Sequence, residues 1–247
     1  MNEYQPRPQI ILITGASRGV GAEVAIQLAN DQRRIVVNYR EKARRANGVV
    51  EAVRAAGGDA LAVEADLCDE PAVEAMLDGI KRRFGVLDVL VLNASGGMEH
   101  GADAGYAMRL NCDAQVRLAQ RALPLMPPGG RIVFVTSHQA HFFDRKPVPA
   151  GYRDVAVSKR AGETALREMR TAFEANGIAL VVVSGDMIDG TITVRLLERR
   201  DPAAVAARRA AGRLPTIPEF ACAVVRATQE SDRDGQTIYV GGQDYLQ

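Results

Sequence analysis

The chain has 247 residues, a formal net charge of +1, 25% charged residues and 47% hydrophobic residues. That length suits one α/β domain, spanning residues 1–247. Near-zero charge argues against nucleic acid or an anionic membrane as partner, and no apolar run reaches the ~20 residues of a membrane span.

Met1 to Gln9 is polar, carries two prolines and reads as a short disordered arm rather than a secretory signal. Ile10 to Ile13 then predicts a buried strand that runs into Thr14-Gly15-Ala16-Ser17-Arg18-Gly19-Val20-Gly21, followed by an amphipathic helix over Ala22 to Asn30. Strand, glycine-rich turn and helix make a phosphate cradle. Gly15 allows the tight turn, Gly19 lets a pyrophosphate approach the backbone, and Gly21 lets helix and strand pack closely. Contacts to a dinucleotide are expected from Gly15, Ser17, Arg18, Gly19, Val20 and Gly21.

Arg34 to Asn38 is the second strand. A carboxylate near its end would hold the adenosine ribose, but the chain reads Asn38-Tyr39-Arg40. A neutral amide followed by Arg40, with Arg18 on the same side, favours a 2′-phosphate and hence NADP(H). The alternative is that Arg40 only begins an exposed helix, Glu41 to Ala56. Ala60 to Glu64 is the third strand and leads to Asp66-Leu67. A helix over Glu70 to Arg83 follows, with Asp69 well placed as its N-cap. Val86 to Leu92 is the fourth strand, Gly130 to Ser137 the fifth, Ile178 to Val183 the sixth and Gln236 to Val240 the seventh. Helices are expected over Tyr152 to Ala175 and Pro218 to Glu230, and two short helical patterns over 187–214. Repeated strand–helix units imply a doubly wound Rossmann-type sheet of about seven parallel strands, sandwiched between helical layers.

Cys68, Cys112 and Cys222 are far apart, and read as reduced, buried and inert in a cytoplasmic protein. His138 and His141 lack a third ligand at metal spacing and read as loop or pocket residues; His100 is isolated.

The spacing Thr14-Gly15-x-x-x-Gly19-x-Gly21, joined by Asn93-Ala94, Ser137 and Ser158-Lys159, resembles the short-chain dehydrogenase/reductase family along nearly the whole chain. The resemblance implies that Asp66 accepts from the adenine amino group, with Leu67 beside it. It implies that Asn93, Ala94 and Ser95 line the adenosine side, in a motif whose glycines have moved one place along to Gly96-Gly97. Asn111 would hold a water beside the lysine, Ser137 would bind the substrate oxygen, and Lys159 would lower a phenol pKa and hold the nicotinamide ribose. The Ile188 backbone would meet the nicotinamide carboxamide, and Thr191 would supply a hydroxyl nearby. Residues 187–214 would be a lid over the substrate. Its Arg195, Arg199, Arg200, Arg208 and Arg209 are either acid-binding or simply solvated. The segment between Ser95 and Asn111 is shorter than usual, as if part of a helix were missing.

The family's tyrosine, four residues before the lysine, is here Val155, which cannot transfer a proton. Tyr152, seven residues before Lys159 and so on the same helix face at ~3.6 residues per turn, is one replacement. A tyrosine-free mechanism, drawing a proton from water, His138 or substrate, is the second. A catalytically silent NADP(H)-binding sensor or partner-binding protein is the third. The expected activity is an NADPH-dependent interconversion of a carbonyl and a secondary alcohol, with catalytic residues Ser137, Tyr152, Lys159 and Asn111, no metal, and a small-molecule substrate. Small residues Ala156, Ala161, Gly162 and Ala165 on one helix suit packing across a two-fold axis in a homodimer or homotetramer.

Overall fold

The computed structural model describes residues 7–99, 101, 103, 105–230 and 234–247. His100 and the first six residues of the expected N-terminal arm lie outside them. The rest of that arm is tied down: Arg7 pairs with Asp88 at 2.7 Å, and Gln9 already belongs to the first strand.

Strands and helices alternate in the order β1 (Gln9–Ile13), α1 (Gly19–Gln27), β2 (Arg33–Tyr39), α2 (Ala43–Ala55), β3 (Asp59–Glu64), α3 (Glu70–Phe84) and β4 (Val89–Leu92). The second half contributes α4 (Tyr106–Met108), a wide π-type turn (Arg109–Asp113), α5 (Ala114–Ala122), β5 (Arg131–Ser137), α6 (His138–His141), α7 (Arg153–Glu168), α8 (Arg170–Ala175) and β6 (Ala179–Gly185). It ends with α9 (Ile192–Arg200), α10 (Pro202–Ala211), α11 (Ile217–Ala227) and β7 (Thr237–Val240).

The strands form one parallel sheet in the order β3-β2-β1-β4-β5-β6-β7, as the strand–helix repeat implies. Period-two alternation sends Leu12, Leu90, Ile132 and Phe134 to one face and Ile11, Ile13, Val91, Val133 and Val135 to the other. Each face is then covered by helices, so the strands read as continuous apolar runs. The order reverses between β1 and β4, and ligands bind outside the carboxyl ends of strands at such a reversal.

The expected elements are all present, with shifted ends. Helix α1 starts at Gly19, inside the glycine loop, three residues before the expected Ala22. The helix expected from Tyr152 to Ala175 is broken at Met169, where the backbone turns and sends Phe173 into the core. Asp69 does stand at the N-cap of α3, but its side chain makes no capping bond. Cys68 and Cys112 are half-buried and Cys222 is exposed, so the expectation of three buried thiols is wrong. Among the described residues, no helix is long and apolar enough to cross a membrane, and no cluster of metal-ligating side chains occurs.

Candidate active site

The carboxyl ends of β1, β2, β4, β5 and β6 open into a cavity of about 730 Å³. The glycine loop forms one wall. Gly15 has φ +62° and a side chain there would sit 2.9 Å from Ala94 Cα, so the turn and the neighbouring strand end both require glycine. Gly19, at φ +60°, faces open space, as a backbone approached by a phosphate must. Gly21 is different: it lies outside the cavity lining, and a Cβ there would strike the Asn93 amide at 2.5 Å. Its role is packing, as expected, and the expectation of a direct cofactor contact is not met. Ser17, Arg18 and Val20 do line the cavity, in front of the α1 N-terminus.

Thr14 ties loop to strand. Its hydroxyl donates to the Val91 carbonyl and accepts from the N–H groups of Asn93 and Ala94. Asn93 in turn donates to the Thr14 carbonyl at 2.8 Å. Asn93, Ala94 and Ser95 line the cavity here, as the half-kept motif implies.

Asn38 is also at the wall, but its amide bridges backbone, accepting from Gly15 N–H and donating to the Ala65 carbonyl, and it is 2% exposed. Its contribution to the cavity is that brace on the glycine loop, so it does not reach outward as a ribose-binding carboxylate would. Arg40, Asp66 and Leu67 line the same end of the cavity. Asp66 accepts from the Cys68 N–H at 2.8 Å, leaving its other oxygen for a ligand. Lys42, Arg45 and Tyr106 also line this end and were missed in the sequence. Arg40-Glu-Lys-Ala-Arg-Arg45 is a visible basic run that could have flagged the first two.

Ser137, Tyr152 and Lys159 line the other end. Ser137 ends β5 and caps the short helix α6, accepting from Ala140 N–H at 3.3 Å. The loop expected for His138 and His141 is thus one helical turn. Pro149 leads into a tight turn over Ala150–Tyr152, which delivers the Tyr152 side chain under the substrate side. The Tyr152 hydroxyl lies 3.1 Å from Ser137 Oγ, and both residues line the cavity. Burial pushes the phenol pKa up, and the Ser137 hydrogen bond pulls the other way. Val155 is not part of the lining. It packs with Met98, Ala156, Val194 and Leu197 in an apolar cluster beneath the cavity.

Lys159 is 7% exposed and its Nζ donates to the Val135 carbonyl at 3.1 Å. Burial lowers its pKa to about 8. Burial is the main cause for both groups, raising the Tyr152 pKa and lowering that of Lys159. Asn111 departs from expectation. It sits in the π-type turn, 1% exposed, and lies outside the cavity lining. Its amide accepts from Gly96 N–H and donates to the Gly96 carbonyl and Ser158 Oγ. Its side chain therefore braces the Gly96 loop against α7.

His138 is fully buried. Its Nε2 faces the Gly241 carbonyl at 3.0 Å and so must carry the proton; Nδ1 then accepts from the Ser184 hydroxyl at 2.8 Å. Burial lowers its pKa, and it is outside the cavity lining, so its place as an alternative proton source falls away. Ile188 and Thr191 line the cavity, with Thr191 capping α9 and donating to the Ile188 carbonyl at 2.8 Å. Of the lid arginines, Arg195 lines the cavity, but Arg208 is bound to Asp186 and Asp244, Arg209 to Asp189 and Glu198, and Arg200 to the Met98 carbonyl. Three of the five are thus already engaged, and Arg195 is the one that faces the cavity.

The family model for short chain dehydrogenases matches residues 9–201. The 1-cyclohexenylcarbonyl-CoA reductase of Streptomyces collinus is 37% identical over 191 residues, 74% of this chain and 66% of the relative. A hydroxynaphthalene reductase of Aspergillus fumigatus is 34% identical over 72% of this chain and 68% of the relative. These alignments span about two thirds of the curated relatives' length. Among solved structures, the angucycline C-6 ketoreductase LanV with bound NADP superposes with a TM-score of 0.79 at 27% identity, covering 99% of this chain and 100% of that one. A Burkholderia cenocepacia short-chain dehydrogenase in complex with NADP gives 0.81 at 28% identity, covering 96% and 97%. The parallel seven-stranded sheet agrees with this likeness, and the chain belongs to the short-chain dehydrogenase family.

Proposed function

We propose that the protein is an NADPH-dependent oxidoreductase that reduces a ketone, or oxidises the matching secondary alcohol, with Tyr152 in place of the family's tyrosine. The observation that carries the reading is the 3.1 Å approach of the Tyr152 and Ser137 hydroxyls on the cavity wall. Two hydroxyls at that separation can both reach one substrate oxygen.

The residues present fit the cofactor. The glycine loop and α1 N-terminus suit the diphosphate, and Arg18 and Arg40 suit a 2′-phosphate. When bound, NADPH supplies the hydride. The chain does the rest. Ser137 orients the substrate oxygen, and Tyr152 donates a proton to it as the alcohol forms. Lys159, held by the Val135 carbonyl beside the cavity, binds the ribose on the nicotinamide side and raises the local positive potential. Asn111 acts through the loop and helix it braces. General acid catalysis of this kind contributes ~10²–10⁴-fold.

Residues 187–214 cover the substrate side, with Val194, Leu197 and Val205 packed on the cluster that holds Tyr152. The working form is a homo-oligomer in the cytoplasm, most simply a homodimer. The decisive assay follows NADPH absorbance with a panel of aliphatic and aromatic ketones. Turnover that disappears in Tyr152→Phe supports the reading. NADPH binding without turnover of any ketone or alcohol would replace it with the silent sensor.

A further inference from the structure

Arg40 and Tyr106 are 66 positions apart and meet at the adenosine end of the cavity. Arg40 Nη1 donates to the Tyr106 hydroxyl, while Nη2 pairs with Glu41 at 2.8 Å. The Arg40 guanidinium carbon is 5.9 Å from the Tyr106 ring centre. Arg109, anchored to Asp103, stands equally far from the same ring. Tyr106 opens α4, and its side chain lines the cavity.

A phenol that accepts from a guanidinium keeps its own proton to donate. Burial pushes the Tyr106 pKa up, so the hydroxyl stays protonated at neutral pH. A charged guanidinium fork and a neutral O–H donor therefore stand side by side at the cavity wall. That pairing suits a phosphate monoester, whose oxygens take both kinds of donor. A bare ribose hydroxyl gains little from the fork.

We propose that Tyr106 is the second half of the 2′-phosphate grip: it aims the Arg40 guanidinium and donates its own hydroxyl proton to a phosphate oxygen. The inference rests on the NADPH reading above and adds to it a positioning residue outside the glycine loop and β2.

The test titrates NADPH, NADH and adenosine 2′,5′-bisphosphate against wild type, Tyr106→Phe, Arg40→Ala and the double variant, each checked for an unchanged melting temperature. Tyr106→Phe keeps the ring and loses only the hydroxyl. The expected result is an NADPH and bisphosphate Kd weaker by about 5- to 20-fold, with NADH within twofold, and a clearly smaller loss when Arg40 is already alanine. Equal losses for NADPH and NADH would show a merely structural tyrosine and overturn the inference. So would no loss in Tyr106→Phe while Arg40→Ala still erases the preference. Equal wild-type affinities for NADPH and NADH would instead remove the cofactor reading on which the inference stands.

Discussion

Asn111 and Gly162 approach so closely that a methyl group on Gly162 would lie 2.4 Å from the Asn111 carbonyl oxygen. The π-type turn at Arg109–Asp113 swells toward α7, and glycine is what lets the two backbones meet. The contact fixes the helix that carries Lys159 against the turn that carries Asn111. Gly162→Ala is expected to cost about 1–3 kcal/mol through overpacking, read as a lower urea midpoint with an unchanged slope. A midpoint equal to wild type would mean that the helices separate without cost.

Tyr152→Phe should lower kcat by two or more orders of magnitude and leave the NADPH Kd within twofold, because only the proton contact is lost. Near-full activity in that variant would reduce Tyr152 to a packing residue of the 150–152 turn. Moving the phenol back to position 155 is not a rescue. Val155 is 4% exposed and faces Gly97, so Val155→Tyr should overpack the cluster and lower the melting temperature rather than raise turnover.

Lys159 makes stability depend on pH. Its folded pKa, about 8, lies below the ordinary 10.5, so between those values the unfolded chain binds more protons than the folded one. Stability therefore rises with pH through this window and the buried charge is a cost below it. From pH 8 to 9.5, wild type should gain about 1–2 kcal/mol relative to Lys159→Met, since each tenfold change in proton affinity is worth ~1.4 kcal/mol. Parallel pH profiles for the two proteins would show that Lys159 is solvated. The same variant should bind NADPH more weakly, since the ribose contact goes with the ammonium group.

NADPH should bind at least tenfold tighter than NADH, a difference of ~1.4 kcal/mol, and Arg40→Ala should remove most of it. Glu41 competes for the same guanidinium across a half-exposed pair, which makes it a weak competitor. Glu41→Gln is therefore expected to tighten NADPH by about 2- to 5-fold without changing NADH. Fluorescence titration decides; a tighter NADH in the wild type would reverse the assignment of charge to phosphate.

Light scattering at micromolar concentration is expected to show a dimer. Of the four small residues on α7, Ala156 and Gly162 are buried inside their own chain, leaving Ala161 and Ala165 partly accessible. Ala165→Arg should then shift the protein toward monomer while the melting of the single chain stays cooperative. A wild-type monomer would end the proposal.

Local order was legible in the sequence. The apolar runs and the glycine loop located the strands within a few residues; Gly15 and Ser137 stand at the carboxyl ends of β1 and β5, and Lys159, on α7, was placed by the resemblance rather than by periodicity. What escaped were side chains whose partners are distant in sequence. Asn38 reads as a neutral stand-in for a ribose-binding carboxylate until Ala65, 27 residues on, is placed beside it. Asn111 reads as a water holder until Gly96 and Ser158 take its amide. Glu163 is fully buried, held by His141 and Arg167, and nothing in Gly162-Glu163-Thr164 announces that. Tyr152 was recoverable by counting back from Lys159, but its reach to Ser137 depended on the turn at Ala150, which periodicity does not describe.

The Arg208 pair with Asp186 and Asp244 divides the cover of the cavity into unequal halves. Arg208 is 11% exposed and gripped by two carboxylates, one of them 1% exposed at the end of β6. Its helix, α10, is in effect riveted to the sheet and to the chain's last turn. Helix α9 carries Ile192, 45% exposed, and Arg195 over the opening, with no comparable rivet at its leading end among the described residues. The α10 flank is thereby the more firmly anchored edge of the cavity, and the exposed Ile192 with Arg195 marks the edge held by fewer ionic ties among the described residues.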